Sequence, residues 1–270
     1  MIANVLSIAG SDPSGGAGIQ ADLKAFSALG AYGMAVITAL TAQNTQGVRS
    51  FQTVDPGFVA EQIDAIFADV RVDAVKIGMV ATAEIAVAVA DRLRHHGVRH
   101  IVLDPVMVAK SGHHLLRDDA VAALRERLVP IARVITPNLP EAGVLLGQPA
   151  PATLTDMRRA ARELHRLGPE WVLLKGGHLA GNDSTDLLFD GNTIIELPGR
   201  RIETRNTHGT GCTLSAAIAA LLPRFDTTDA ARRAKAYLTD AIAASDRLTV
   251  GSGHGPVHHF HALWTKDAVP

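Results

Sequence analysis

A single cysteine in 270 residues leaves no internal disulfide to form, so the fold cannot depend on an oxidising compartment. Cysteine cannot supply a zinc cluster either. Aromatic side chains make up 4 % of the chain, too few for the stacking platforms of single-strand nucleic-acid binders. Neither sign of charge dominates. Twenty-six basic residues face 27 acidic ones, a net charge of -1, so no basic excess is at hand to neutralise phosphate backbones. No stretch of about 18 apolar residues runs without polar interruption, which argues against a membrane span. The opening MIANVLSIAG lacks a basic region, and its apolar run breaks at Gly10-Ser11-Asp12-Pro13. It reads as a strand rather than a signal peptide. Neither G-x-x-x-x-G-K-[ST] nor G-x-S-x-G occurs, which excludes a P-loop NTPase and makes an α/β-hydrolase a poor fit. With 47 % hydrophobic and 20 % charged residues the composition is that of an ordinary globular chain, and a soluble cytoplasmic protein is expected.

What is present is a rhythm. Short apolar runs at Val5–Ile8, Met34–Leu40, Ala74–Ile77, His100–Leu103, Arg133–Ile135 and Trp171–Leu174 read as strands. Their near-continuous apolar character suits parallel strands covered on both faces. Alanine-rich segments of helical period lie between them, at Gly18–Leu29, Gly57–Ala68, Thr82–His95, Asp118–Leu128 and Thr155–Leu167. Gly30 and Gly97 stand where left-handed helix ends are wanted, and Thr82, Asp118 and Thr155 can cap helix starts. This alternation predicts a doubly wound α/β sheet. Beyond Gly176-Gly177 the rhythm changes. Asp186–Asp190 and Thr193–Leu197 predict two strands joined by a tight hairpin, and helices are predicted over about 210–221 and 228–248. No linker or repeat divides the chain, which reads as one domain.

Ligands in such a sheet sit beyond the carboxyl ends of strands, and three of those ends are loaded. The first is the glycine- and serine-rich segment 9–18. Gly16, Gly18 and Ala21 formally match a dinucleotide fingerprint, but the loop is long and no acidic residue ends the second strand, where Thr41-Ala42-Gln43-Asn44 is neutral. A plain glycine loop is an equal reading of this segment. The second carries Asp104 and, past the next strand, Glu141. Two such carboxylates can hold a hydrated Mg²⁺ together with substrate phosphates. Equally, Glu141 could simply favour the first turn of a helix. The third, NTHGTGC, opens an alanine-rich helix at 206–212. Glycines there let several backbone N–H groups converge on one anion, and the helix start should lower the Cys212 thiol from its ordinary value. A small buried cysteine is the bland alternative. His254, His258, His259 and His261 invite a metal reading, but a solvated or packed tail suits them better because no carboxylate or cysteine accompanies them.

The segments AGSDPSGGAGIQADLKAFSALGAYG, ITALTAQNTQGV, VKIGMV, DPVMVAKSG, ITPNLPEA, LLKGGH, NTHGTGCTLSAAIAA and GHGPVHHFHALW, in this order, span essentially the whole chain. Together they resemble the bacterial hydroxymethylpyrimidine/phosphomethylpyrimidine kinases of thiamine synthesis, of the ribokinase-like superfamily. The resemblance implies an α/β fold, a ribokinase-like three-layer sandwich with a central, mostly parallel sheet flanked by helices. It implies one kinase domain over 1–270, ATP as phosphoryl donor, Mg²⁺ and a homodimer. It also implies two phosphorylations at one site, of 4-amino-5-hydroxymethyl-2-methylpyrimidine and then of its monophosphate.

Residue roles follow from the resemblance position by position. Gly209, Thr210, Gly211 and the Cys212 amide correspond to the anion hole, with Cys212 as the base. Lys175 corresponds to a lysine near the ATP phosphates, and Thr210 and Glu141 to ATP contacts. Asp104 and Glu141 correspond to the Mg²⁺ site. Gly10, Asp22 and Gln43 correspond to the pyrimidine pocket, which Met79 and Val106 line. Sugar kinases of the superfamily carry aspartate where Cys212 stands, so the cysteine points away from sugars and leaves pyridoxal as the alternative substrate. The residues agree with this reading. The Gln43 amide offers one donor and one acceptor, which suit a ring nitrogen and its exocyclic amine. A monophosphate is already largely ionised near neutral pH, so the second step needs a base less. A catalytically silent sensor of the same compound is the reading from another class. Retention of Asp104, Glu141, Lys175 and Cys212 argues against it.

Overall fold

The computed structural model describes residues 1–107, 118–181 and 183–264. Residues 108–112 of the DPVMVAKSG segment, and the capping expected of the Asp118 side chain, lie outside the described residues. The first apolar run becomes β1 (Asn4–Gly10), followed by α1 (Gly18–Ala28), β2 (Tyr32–Asn44), β3 (Gly47–Thr53) and α2 (Pro56–Asp69). Then come β4 (Ala74–Ile77), α3 (Ala83–His95), β5 (Ile101–Leu103), α4 (Asp118–Ala123), β6 (Val134–Ile135), α5 (Leu139–Leu146) and α6 (Leu154–His165). The chain continues through β7 (Trp171–Leu174), β8 (Asp186–Phe189), β9 (Ile194–Leu197), α7 (Thr210–Leu221) and α8 (Thr227–Ala243).

These strands form one sheet in the order β3-β2-β1-β4-β5-β6-β7-β8-β9. The pairs from β2 through β1 and β4 to β7 are parallel. β3 pairs antiparallel to β2, and β8 and β9 close the other edge as an antiparallel hairpin. Side chains alternate across the sheet. On β4, Val75 and Ile77 enter a core shared with α2, α3, α5 and α6, whereas Ala74 enters a second core shared with α1, α7 and α8. The result is three layers. In α7 every residue from Thr213 to Leu221 is buried, and its run of alanines lets α1, α8 and the sheet approach closely.

Local chemistry sets the helix ends. The Thr82 hydroxyl accepts the Ile85 N–H and starts α3, as expected. Gly30 and Gly97 take left-handed conformations, with φ of +73° and +64°, where those ends were placed. For α6 the cap is Thr153, not Thr155. Thr153 Oγ1 accepts the Asp156 N–H while the Asp156 carboxylate accepts the Thr153 N–H, a reciprocal box that Thr155 is too late to make. The helix expected over 118–128 widens into a looser turn at Leu124–Leu128, and the one expected to reach Leu248 ends at Ala243. β2 continues past Leu40 to Asn44, so Gln43 lies within the strand rather than beyond it. That extension pairs only with β3, an edge strand whose residues are mostly exposed and which lacks an apolar signature.

Candidate active site

β1, β4, β5, β6 and β7 all point their carboxyl ends at one cavity of about 620 Å³. Of the expected residues, Gly10, Gln43, Met79, Asp104, Val106, Glu141, Lys175, Gly209, Thr210, Gly211 and Cys212 line it together. A second cavity of about 540 Å³ adjoins it, between Ser184, Asp186 and Arg200 on one side and Lys235, Leu238 and Ile242 of α8 on the other. Both cavities touch Lys175, Thr210 and Gly211, so the two chambers meet at one ammonium group and one helix start.

The β1 loop is built around Asp12. Its Oδ1 accepts the N–H and hydroxyl of Ser14, and its Oδ2 accepts the N–H groups of Gly16 and Ala17. His208 Nε2 lies 2.7 Å from the same Oδ2. Burial alone would raise the Asp12 carboxyl, but the hydrogen bonds from His208 and Ser14 hold it below the usual carboxylate range. The α7 loop is pressed directly onto this one. Gly209 has φ of +76°, and a Cβ there would stand 1.8 Å from the Gly16 carbonyl oxygen. Only glycine permits that approach, which brings the start of α7, Thr210 to Cys212, to the cavity wall.

Lys175, just past β7, donates to Asp104 Oδ1 at 3.0 Å and lies 3.9 Å from Glu141 Oε2. Asp104 also accepts from the hydroxyls of Thr136, at 3.1 Å, and Ser215, at 3.4 Å. Glu141 does cap its own helix. Its Oε2 accepts the Asn138 N–H at 2.7 Å while Asn138 Oδ1 accepts the Glu141 N–H at 2.8 Å. The capping role and the pocket role are therefore held by one side chain. Burial pushes the Glu141 carboxyl up to about 7, with Asp104 adding to the rise and Lys175 opposing it. Burial alone would lower the Lys175 ammonium, yet the two carboxylates beside it hold it above its ordinary value.

Two expectations are corrected. The Cys212 thiol is not lowered by its helix start. Burial pushes it up to about 11, outweighing Lys76 and the Gly18 N–H, which favour the thiolate. A helix dipole is worth a few tenths to 1 kcal/mol, less than the cost of taking a thiolate out of water. Asp22 does not stand in the pocket wall. It is fully buried beneath it, where Oδ2 accepts from Ser7 Oγ at 2.5 Å and Lys76 Nζ at 2.8 Å. Lys76, also fully buried, is the one of the pair that reaches the cavity. Sequence reasoning missed Lys76, although a lone lysine inside the apolar strand AVKI was a visible signal. It also missed His208, whose partner Asp12 is remote in sequence.

The histidine-rich tail is packed in part, with His254 left exposed. His258 and His259 are buried, and His259 Nε2 meets Thr213 Oγ1 of α7 at 3.0 Å. Burial lowers the His259 imidazole to about 3, so it is neutral.

Comparison with known proteins places this geometry. A family model described as phosphomethylpyrimidine kinase matches residues 12–258. The chain is 58 % identical over 99 % of its length to the hydroxymethylpyrimidine/phosphomethylpyrimidine kinase of Rhizobium meliloti, covering 100 % of that protein. It is 56 % identical over 97 % of its length to the Escherichia coli protein of the same name, covering 98 % of it. Among solved structures, the ADP complex of Bacillus subtilis pyridoxal kinase superposes with a TM-score of 0.89 at 37 % identity, covering 97 % of this chain and 99 % of that one. The sheet order and flanking layers are those of the ribokinase-like fold expected above.

Proposed function

Since the chain belongs to the phosphomethylpyrimidine kinase family, we propose that it uses ATP to phosphorylate 4-amino-5-hydroxymethyl-2-methylpyrimidine. The resulting monophosphate takes a second phosphoryl group, and the diphosphate serves thiamine biosynthesis. One observation carries this reading: two adjoining chambers, one per substrate, meet at Lys175 and the first amides of α7. The chamber holding Gln43, Met79 and Val106 takes the pyrimidine, and the chamber toward α8 takes the nucleotide. Identity of 56–58 % to the pyrimidine kinases, against 37 % to a pyridoxal kinase, ranks the pyrimidine above pyridoxal as the substrate.

Phosphoryl transfer needs positioning and charge neutralisation more than covalent help. The alcohol oxygen attacks the γ-phosphorus, the bond from that phosphorus to the bridging oxygen breaks, and ADP leaves. Lys175 would neutralise phosphate oxygens at the junction of the chambers. The amides of Gly209, Thr210, Gly211 and Cys212 would hold the transferred group, since helix-start N–H groups have no partner within the helix. Asp104 and Glu141 supply hard carboxylate oxygens on the same wall, a donor set that fits Mg²⁺. These two residues would hold it, and it would offset phosphate charge when bound. Cys212 takes the alcohol proton as a thiolate and later releases it to water. In the second step the attacking oxygen belongs to an ionised monophosphate, and no base is required.

One domain over 1–270 and a cytoplasmic homodimer belong to the same reading. Exposed Phe51, on edge strand β3, offers apolar surface for a partner subunit.

The test is Cys212→Ala with both steps measured. Loss of a general base costs about 10² to 10⁴-fold in phosphorylation of the alcohol, with the monophosphate step and ATP binding largely spared. A thiol at about 11 adds a second signature. Below that value its ionised fraction rises about tenfold per pH unit, so the first step should accelerate with pH well past neutrality while the second stays flat. Near wild-type turnover of the alcohol in the alanine variant would refute the assignment of Cys212.

A further inference from the structure

Gln43 stands between two neighbours whose hydrogen-bonding capacity is already committed. His208 Nε2 lies 2.7 Å from Asp12 Oδ2. An ionised carboxylate only accepts, so Nε2 must carry a hydrogen, whether the ring is neutral or charged. Nε2 then has no lone pair for the Gln43 amide nitrogen placed 3.4 Å from it. On the other side, the single hydroxyl proton of Thr41 goes to the Ser11 carbonyl at 2.9 Å. Thr41 Oγ1 therefore cannot also donate to the Gln43 oxygen placed 3.3 Å from it. Both conflicts vanish together if the amide is turned by half a rotation. Oxygen and nitrogen of a side-chain amide are distinguished by their partners rather than by shape, and here two independent partners require the same orientation.

We infer that Asp12 and His208 form one positioning unit that holds the Gln43 amide with its oxygen toward His208 and its nitrogen toward Thr41, and thereby sets which ring edge the pocket accepts. Thr41 Oγ1 takes one amide hydrogen, and the oxygen faces the electropositive Nε2–H edge of His208 at 3.4 Å without a full hydrogen bond of its own, because the one Nε2 hydrogen goes to Asp12. One N–H on the Thr41 side and one oxygen lone pair on the His208 side remain for a ligand. The ligand edge must present a donor toward His208 and an acceptor toward Thr41. An aminopyrimidine does so with its exocyclic amine and the adjacent ring nitrogen. A ring with an acceptor at the amine's position meets oxygen against oxygen and loses the bond on that side. The His208 ring is closely confined. A Cβ on Gly16 would stand 2.4 Å from its Cδ2, so the glycine leaves the room the ring occupies. The inference rests on Gln43 being the pyrimidine contact, and the experiment separates the two.

Selectivity is read as the ratio of kcat/KM for the aminopyrimidine over its analogue lacking the amine, in wild type, Gln43→Ala, His208→Phe and His208→Gln. The ratio should fall about tenfold or more in Gln43→Ala, the scale of one unpaired buried polar group. It should fall comparably in His208→Phe, through KM for the pyrimidine and with KM for ATP unchanged. His208→Gln restores an N–H near the position of Nε2 and should recover most of the selectivity, which a packing role for the ring would not do. Long-range ¹H–¹⁵N spectra of the wild-type protein provide a readout that needs no stable variant, and His208 should show a protonated Nε2. If His208→Phe keeps full selectivity while Gln43→Ala loses it, the positioning unit is wrong and the Gln43 contact stands. If Gln43→Ala keeps full selectivity, the contact itself is wrong and the inference goes with it. A His208 Nε2 without a proton overturns the inference whatever the variants do.

Discussion

The buried pair Lys76–Asp22 gives a prediction whose size follows from its surroundings. Both side chains are fully buried, with Nζ 2.8 Å from Oδ2, and Asp22 Oδ1 has no hydrogen-bond partner. The space for the ammonium depends on Gly78, where a Cβ would come within 2.8 Å of Nζ. Removing one charge strands the other out of water, at a cost of about 3–5 kcal/mol, whereas replacing both can be close to neutral. Lys76→Met should therefore lower Tm by roughly 6–20 °C, at about 2–4 °C per kcal/mol for a chain of this size. Asp22→Asn keeps an oxygen for Ser7 and Lys76 and should cost less. Lys76→Met/Asp22→Asn should recover most of what Lys76→Met loses. Urea and thermal unfolding of the four proteins give the coupling as the departure from additivity. Cys212 supplies a second measurement, because it is the only thiol and its alkylation rate against pH reports its own titration. Lys76 favours the thiolate and Asp22 opposes it. The titration should move up in Lys76→Met and down in Asp22→Asn. Additive stabilities, or thiol shifts of the same sign in both single variants, would refute the reasoning.

The Mg²⁺ assignment is tested by Asp104→Asn and Glu141→Gln, which should raise the Mg²⁺ concentration needed for half-maximal rate. An unchanged titration in both returns these side chains to their hydrogen bonds with Thr136 and Asn138. His259 sets an acid limit. Its folded value, lowered to about 3 by burial, lies below the ordinary 6.5, so its contribution to stability is complete above 6.5 and is lost as pH falls toward 3. Wild type should lose about 1.4 kcal/mol per pH unit in that window on account of this one group. His259→Gln, which can still bond the Thr213 hydroxyl, should flatten the decline when Tm is followed from pH 7 to 4.

How much could be read beforehand depended on whether the cause was local. α7 was legible because its alanine run and its glycine-rich start both lie within one segment. The parallel strands were legible because burial on both faces writes continuous apolar runs. β3 was not, because an edge strand with exposed side chains carries no such run. Asp22 was misplaced because a matching position fixes where a residue lies along the chain, not which way its side chain turns. The acidity of Cys212 was misjudged because the helix start is written in neighbouring residues, whereas its burial is made by segments more than 100 residues away. Asp12 and His208 meet across 196 positions, and no local pattern joins them.

That last distance bears on the order in which the molecule is made. The loop holding Asp12 leaves the ribosome well before the segment holding Gly209. The central strands are not assembled until β4 to β7 have joined β1, and closing so long a loop requires that most of the intervening chain be ordered already. The contact between Gly209 and the Gly16 carbonyl therefore forms late. An incomplete chain can own β1, its loop and the carboxylate of Asp104 and still lack the α7 start proposed above to hold the transferred group. On the proposed mechanism, competence thus arrives only when the segment holding Gly209 has joined the rest, and a nascent chain consumes no ATP before that contact closes.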